Sequence, residues 1–107
     1  MSRAETMAVL TPGLVAGICT EDADGRLQAV PVWIEETSVE TVSARLVGDT
    51  SLGVGSVCLV ADEFASYVGI RGAIVRGTID AEAVDGRVLL SVTHASGFSF
   101  ENTTTSL

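Results

Sequence analysis

The stretch LVAGICTEDADGRLQAVPVWIE, residues 14–35, decides the fold of this chain. Its first part, Leu14–Glu21, is a short apolar run, and Leu27–Glu35 is a second one. Between them, residues 22–25 (DADG) supply the Asp and Gly that tight turns favour. Two such runs joined by a turn predict a β-hairpin. Pro31 lies within the second run, and proline cannot donate to a β-ladder. We therefore expect that strand to be at an edge, bulged, or interrupted at Pro31.

The segments after the hairpin also have the character of strands. Glycines 69, 72 and 77 are spaced as bends, which is how a long strand curls around a barrel. Gly97–Thr103 either continues the last strand or pairs as another. Six or seven short strands with almost no helix predict a small barrel or a sandwich. The further strands are expected at Val39–Leu46, Ser56–Ala61, Ser66–Asp80 and Arg87–His94.

Helix signals are confined to two places. Ser2 and Glu5 have the spacing of a capping box, so a short opening helix is expected before Thr11–Gly13 ends it. Gly48–Gly53 could form one or two helical turns, with Asp49 or Thr50 as the cap. The chain is predicted to be one domain over residues 1–107. We expect a helix in 1–12, a barrel in 13–103 and a polar tail in 104–107.

Composition narrows the partners. The formal net charge of −8 repels phosphodiester backbones and anionic lipid, so nucleic acid and membrane surfaces are not expected partners. No apolar run approaches the roughly 18–20 residues that span a bilayer, and the N-terminus lacks a signal-peptide plan, so a cytoplasmic protein is expected. Every basic residue is Arg, and this composition hints at a GC-rich bacterial genome.

The two cysteines and the only histidine carry weak signals. Cys19 and Cys58 both lie in apolar stretches, which favours two inert core thiols over a disulfide or a reactive thiol. His94 has no second His or Cys spaced to join it in a metal site, and nothing in the spacing indicates a hydrolytic triad.

Two places remain as candidate binding residues. Trp33 follows a strand proline and is either a core or interface aromatic or a wall for a planar ligand. Arg45, followed by Thr50 and Ser51, combines a guanidinium with hydroxyls and the start of a possible helix, which together can hold a phosphate. The alternative is an ordinary helix cap with a surface arginine.

In order and spacing, these segments resemble the pyridoxamine-phosphate-oxidase-like family of flavin and deazaflavin split barrels. The hairpin of residues 14–33, with its DG turn and VPVW strand, is similar to the start of that family. Ser56–Asp62 and Val88–Phe100 are similar to later family strands, and Tyr67–Val75 to its strand with an Arg-Gly pair. The resemblance implies a mainly β fold, a small six- or seven-stranded antiparallel split β-barrel with one or two short helices.

The resemblance also implies a cofactor and an assembly. A homodimer would hold FMN, or the related deazaflavin coenzyme, in a groove between subunits, as in a small oxidoreductase or electron carrier. The ring would lie along Val30, Pro31, Val32 and Trp33. The phosphate would be held by Arg45, Thr50 and Ser51. Arg71, Arg76 or an arginine of the partner subunit would be the compensating cation.

Two alternatives stay open. Asp49 falls where many relatives have Lys, and Arg45 is the only basic residue of its segment, which favours a cofactor-free homodimer acting as a binding or structural module. The second is a different small barrel that binds haem or a small apolar ligand, and in the haem case His94 would be the axial ligand.

Overall fold

The computed structural model describes residues 2–22, 24–66 and 69–101, and the side chains of all these except 63–66, 69–71 and 99–101. Several of the features expected from the sequence lie outside that description. They are the polar tail, the last two residues of the strand Gly97–Thr103, two residues of the Arg-Gly segment and the Arg71 side chain. The elements are α1 (Arg3–Ala8), β1 (Val15–Glu21), β2 (Leu27–Thr37), β3 (Thr41–Leu46), β4 (Gly55–Ser66), β5 (Gly69–Ile79) and β6 (Arg87–Glu101).

The six strands close into an antiparallel barrel in the order β1-β2-β3-β6-β5-β4. This confirms the expected mainly β barrel with a short helix and excludes the sandwich. Two of the strand pairs, β3 with β6 and β1 with β4, join strands that are distant in sequence. The β1–β4 ladder has only three residue pairs, so it is the shortest seam of the barrel.

The core follows the two-residue period of the strands. In β2, Val30, Val32 and Ile34 are buried, while Pro31 and Trp33 between them are exposed. The same alternation continues in β3, where Val42 to Leu46 are buried at every second residue. Because successive side chains of a strand point to opposite faces, the buried set fills the barrel and the intervening set covers its outside.

Helix α1 forms as the sequence predicts. The Ser2 hydroxyl accepts from the Glu5 amide at 3.1 Å, and the Glu5 carboxylate accepts from the Ser2 amide at 3.0 Å, a complete capping box. Hydrogen bonding with Ser2 lowers the pKa of Glu5 below its ordinary 4.5. The Ser2 backbone has the larger effect and the Ser2 side chain the smaller one. Arg3 donates to the carbonyls of Val39 and Val92 and so ties the helix to the barrel.

Pro31 does not end or bend its strand, since β2 runs unbroken through it. The ladder between β2 and β3 begins at Val32, so Pro31 lies just beyond it. The Pro31 carbonyl still accepts from the Val47 amide at 3.2 Å. The missing N–H therefore falls just past the end of the β2–β3 ladder, and the expectation of an edge, a bulge or an interruption at Pro31 was wrong.

One further expectation about local structure was wrong. Gly48–Gly53 forms a turn and irregular chain instead of a helix, with Gly48 in the left-handed region at φ 64°. That conformation and the glycines that follow remove the consecutive helical residues that a first turn needs. Strand β6 is continuous to Glu101, so within the described residues Gly97 continues the last strand, which confirms the first of the two alternatives for this segment.

Candidate functional site

One row of outward-facing side chains brings an aromatic ring and two guanidinium groups together. Trp33 of β2 lies opposite Arg45 of β3, and Arg45 lies opposite Arg87 of β6. The residues that flank each of them along its strand are largely buried, so all three point to the outside. We call Trp33, Arg45 and Arg87 the cationic row. Trp33 is 45% exposed, which leaves ring surface available to a ligand.

A single carboxylate links the two arginines of the cationic row. Glu35 lies 3.7 Å from Nε of Arg45 and 3.2 Å from Nε of Arg87. It lies at the irregularity in the β2–β3 register between Ile34 and Glu36. A bulge of this kind re-aims the extra side chain. All three partners are partly exposed, so each ion pair contributes at most about 1 kcal/mol and can be exchanged for another anion.

A cavity of about 360 Å³ opens beside this ion-pair cluster. It is lined by Glu35, Glu36, Ser43 and Arg87. The pocket contains two acidic groups and one basic group, and Ser43 adds a hydroxyl that can donate or accept. An anion that enters here meets Arg87 directly but must compete with Glu35 for it.

The outer face continues from Trp33 into an apolar surface on the neighbouring strands. Val15 of β1 lies opposite Trp33, while Pro31 and Val60 both lie opposite Gly17, and Ile74 lies opposite Val60. We call Val15, Pro31, Trp33, Val60 and Ile74 the apolar band. All of these except Pro31 are large hydrophobic side chains, and each of the four is between 38% and 55% exposed. Contiguous exposed apolar surface marks an interaction site in many proteins.

The structure divides the sequence-predicted ring-binding residues into two groups. Pro31 and Trp33 face outward and can contact a ligand with their side chains. Val30 and Val32 are 6% and 0% exposed, so only their backbone groups are available on the outside.

The predicted phosphate-binding residues are not gathered in one pocket. Thr50 and Ser51 line a cavity of about 440 Å³ near the end of β3, together with Leu46 and Glu82. Arg45 is not among the lining residues of that cavity. Thr50 donates its hydroxyl proton to the Val47 carbonyl at 2.8 Å. Because residues 48–53 form no helix, this cavity does not have the free backbone N–H groups that a helix N-terminus directs at a phosphate.

The two regions are nevertheless neighbours along the strands. Gly86 lines the Thr50 cavity and immediately precedes Arg87 of the cationic row. The Leu46 amide donates to the Gly86 carbonyl at 2.7 Å, directly beyond the Arg45–Arg87 pair. A ligand with an extended phosphate arm could reach from the row into the cavity.

Arg87 is the residue that sequence reasoning missed. It follows the Asp85–Gly86 turn and opens β6, a position that by itself indicates only a strand start. Its relation to Arg45 depends on β3 pairing with β6, and 40 residues of sequence separate these two strands. The alternation of β6 would have placed Arg87 outside, but not beside Arg45.

The cysteines and the histidine are placed differently from the core residues around them. Cys19 and Cys58 are only partly buried and face outward, so the expectation of core thiols was wrong. His94 is exposed on β6 opposite Arg76 of β5. Among the described residues, no group of three or more His, Cys, Asp or Glu side chains is arranged to hold a metal ion. In the same part of the chain, no helix is long and apolar enough to cross a membrane.

Comparison with known proteins supports the fold. The structure is similar to that of the FAD binding protein from Mycobacterium smegmatis, with a TM-score of 0.73 and 20% sequence identity. The match covers 94% of this chain and 95% of that one. No protein-family model matches the sequence, and no curated protein matches it either. At this identity the likeness concerns the barrel and the order of its strands.

Proposed function

We propose that this protein binds a flavin on the outer face of its barrel and acts as a small oxidoreductase or electron carrier. The observation that carries the proposal is the cationic row, which places the only Trp of the chain beside two arginines on adjacent strands. An indole face stacks on a planar ring, and guanidinium groups bind phosphate through two parallel hydrogen bonds. The flavin-binding function of the structural neighbour, which shares this barrel, supports the same class of ligand.

In the proposed complex, the isoalloxazine ring lies against Trp33 and Pro31, with the β2 backbone along its edge. The phosphate lies at Arg45 and Arg87 and displaces Glu35 from one or both of them. We assign Arg87 the compensating role expected of Arg71, Arg76 or a partner arginine, because Arg87 is beside Arg45. Thr50 and Ser51 would contact the far end of the phosphate arm. The flavin itself supplies the hydride or electron transfer, and the protein supplies binding and orientation.

The proposed family is the pyridoxamine-phosphate-oxidase-like split barrels, with FMN or the deazaflavin coenzyme as the ligand. FAD is the natural competitor, because the structural neighbour is an FAD binding protein. The cavity beside Thr50 offers room for a longer ligand, but Glu82 in its lining repels a second phosphate. We therefore expect FMN to bind more tightly than FAD.

We further propose that two copies associate through the apolar band and hold the ring between them at Pro31 and Trp33, as in the homodimers of that family. The band lies across four neighbouring strands and contains side chains that are costly to leave in water. Sedimentation equilibrium should then give twice the 11.0 kDa of one chain. Val60→Asp should shift the mass toward that of the monomer, whereas Leu27→Asp, at an exposed position outside the band, should not.

The direct test is titration of the purified protein with FMN, the deazaflavin coenzyme and FAD. Stacking on Trp33 should quench both the tryptophan emission and the flavin emission, and the titration curve should saturate. Trp33→Leu should weaken FMN binding by roughly tenfold, which corresponds to about 1.4 kcal/mol. Leu27→Ala is the matched control, since Leu27 is exposed on the same strand about 20 Å away.

A second candidate function has its own supporting observation. Glu35 already pairs with both arginines of the row, so one of their two positive charges is compensated without any ligand. This favours a cofactor-free barrel that acts as a binding or structural module. Absence of saturable binding for all three coenzymes, with the dimer intact, would establish this alternative and refute the flavin proposal.

A further inference from the structure

The two cysteines lie directly opposite each other on adjacent strands. Cys19 of β1 pairs in register with Cys58 of β4. The neighbours Ile18 and Leu59 are buried, so both thiols are directed to the outside of the barrel. Both residues are partly exposed and both are free thiols. Residues opposite each other in an antiparallel pair project to the same face of the sheet, so the two sulfurs are neighbours.

The hydrogen-bond pattern defines what kind of pair this is. The Ile34 amide donates to the Leu14 carbonyl, so even-numbered residues of this segment direct their backbone groups toward β2. The odd-numbered residues, Cys19 included, therefore direct theirs toward β4. Cys19 and Cys58 thus form a hydrogen-bonded pair, whose Cα atoms lie about 5.5 Å apart in antiparallel sheets. That spacing is within the range of about 4.4–6.8 Å seen in disulfides.

The side chains of such a pair need a small adjustment before they can be joined. Opposite Cβ atoms in a sheet are about 4.5–5.5 Å apart, whereas disulfides require about 3.5–4.5 Å. Because a hydrogen-bonded pair lies at the wide end of the range for opposite Cβ atoms, a bridge here brings the two Cβ atoms closer by at least about 1 Å and carries strain. Strained and accessible disulfides are the ones that are readily reduced again. The geometry favours a reversible bridge over a permanent one.

The surroundings allow both the movement and the entry of a reagent. Cys19–Cys58 is the last pair of the three-pair β1–β4 ladder, so the strands are free of each other beyond it. A cavity of about 480 Å³ begins there, and its lining includes both cysteines and Thr20 and Ser56. Arg76 of β5 lies opposite Cys58 and also lines the cavity. Its guanidinium provides a binding partner for a carboxylate carried by a small molecule.

We propose that Cys19 and Cys58 form a redox-active dithiol that exchanges with low-molecular-weight disulfides bearing carboxylates. The Cys58 thiolate attacks one sulfur of the small disulfide, forming a mixed disulfide and releasing the first small thiolate. The Cys19 thiolate then attacks the Cys58 sulfur, closing the intramolecular bridge and releasing the second small thiolate. The two protein thiol protons go to the two released thiolates, and the two electrons reduce the small disulfide. The bridge joins the barrel across its shortest seam.

The first experiment is incubation of the purified protein with oxidised glutathione, followed by thiol counting and intact mass measurement. We expect both thiols to disappear and the mass to fall by two hydrogens, with reversal by excess reduced glutathione. The thermal midpoint of the oxidised form should rise by several degrees. A glutathione adduct as the stable product, a disulfide-linked dimer, or unreactive thiols would each overturn the proposal.

A matched variant tests whether register is responsible. In the double variant Cys58→Ser, Ser56→Cys, the second thiol stays on the same face of β4 and in the same cavity but lies two residues from the position opposite Cys19. This protein should accumulate mixed disulfides without the loss of two hydrogens. Closure in this variant at the rate of the natural protein would contradict the assigned geometry.

Arg76→Gln tests the recognition of the reagent. We expect oxidation by oxidised glutathione to slow several-fold, while oxidation by the uncharged hydroxyethyl disulfide keeps its rate. Equal slowing with both reagents would mean that Arg76 acts on the fold or on the thiols and not on the carboxylate. Flavin binding is not involved in any of these readouts, so the dithiol and the proposed flavin site succeed or fail separately.

Discussion

Removing Glu35 should raise the affinity of the protein for FMN, whereas removing its ion-pair partner Arg87 should lower that affinity. Glu35 holds Arg45 and Arg87 at 3.7 and 3.2 Å, so a phosphate that binds there must displace its carboxylate. Each exposed ion pair is worth at most about 1 kcal/mol, and repulsion between Glu35 and the phosphate adds about the same amount in a water-like dielectric. Glu35→Gln removes these costs, which amounts to about 1–2 kcal/mol and a roughly 5- to 30-fold gain in affinity.

Arg87→Gln should have the opposite effect. A hydrogen bond to a charged group contributes about 1.5–3 kcal/mol, and the exposure of Arg87 places this one near the lower end. We therefore expect a loss of roughly tenfold or somewhat more in FMN affinity. Both effects should shrink as salt is raised, because the groups are partly exposed to solvent.

The assay is fluorescence titration with FMN at low and at high ionic strength. The matched controls are Glu40→Gln and Arg26→Gln, which alter the net charge by the same unit at exposed positions outside the cationic row. They should change affinity less than twofold. If Glu35→Gln and Arg87→Gln shift affinity in the same direction, or no more than the controls do, the phosphate does not bind at this row.

Three further predictions concern the barrel itself. Gly77→Ala should destabilise the fold by about 1–3 kcal/mol in urea unfolding, because the added methyl meets the Ser91 carbonyl. Ile18→Ala, at a fully buried position, should cost about 2–5 kcal/mol in the same measurement. Because the pKa of Glu5 is lowered in the folded state, its hydrogen bonds with Ser2 stabilise the fold fully at pH values above the ordinary carboxyl pKa. This stabilisation is lost as the pH falls through the lower pKa that Glu5 has in the folded protein. The thermal midpoints of natural protein and Glu5→Gln should therefore differ at neutral pH and converge in acid.

Matched controls separate these effects from general disturbance of the chain. Gly53→Ala adds a methyl where no atom lies within 4 Å, so it should leave stability nearly unchanged. Val60→Ala removes methyl groups from the outer face and should cost the isolated chain far less than Ile18→Ala. Equal losses at Ile18 and Val60 would show that the barrel interior is not assigned correctly. A constant difference between natural protein and Glu5→Gln at all pH values would refute the capping argument.

Much of the fold was predictable from local pattern. The hairpin of residues 14–35, the capping box of Ser2 and Glu5, and the positions of the early strands follow from turn chemistry and from alternation of apolar residues. These signals act over a few residues, so a single segment contains all the information they need. The outward placement of Trp33 and the inward placement of Val32 follow from the same two-residue period.

Only the tertiary structure decided which strands, distant in sequence, pair with each other to close the barrel. Pairing of β3 with β6 places Arg87 beside Arg45, and pairing of β1 with β4 places Cys19 opposite Cys58. Local pattern treats each of these residues as an isolated surface group or, for the cysteines, as part of an apolar run. Strand pairing between distant segments depends on how all six strands share one core, because shifting one partner by a residue would turn its buried face to water. That global requirement, and not any local propensity, assembles the cationic row and the dithiol.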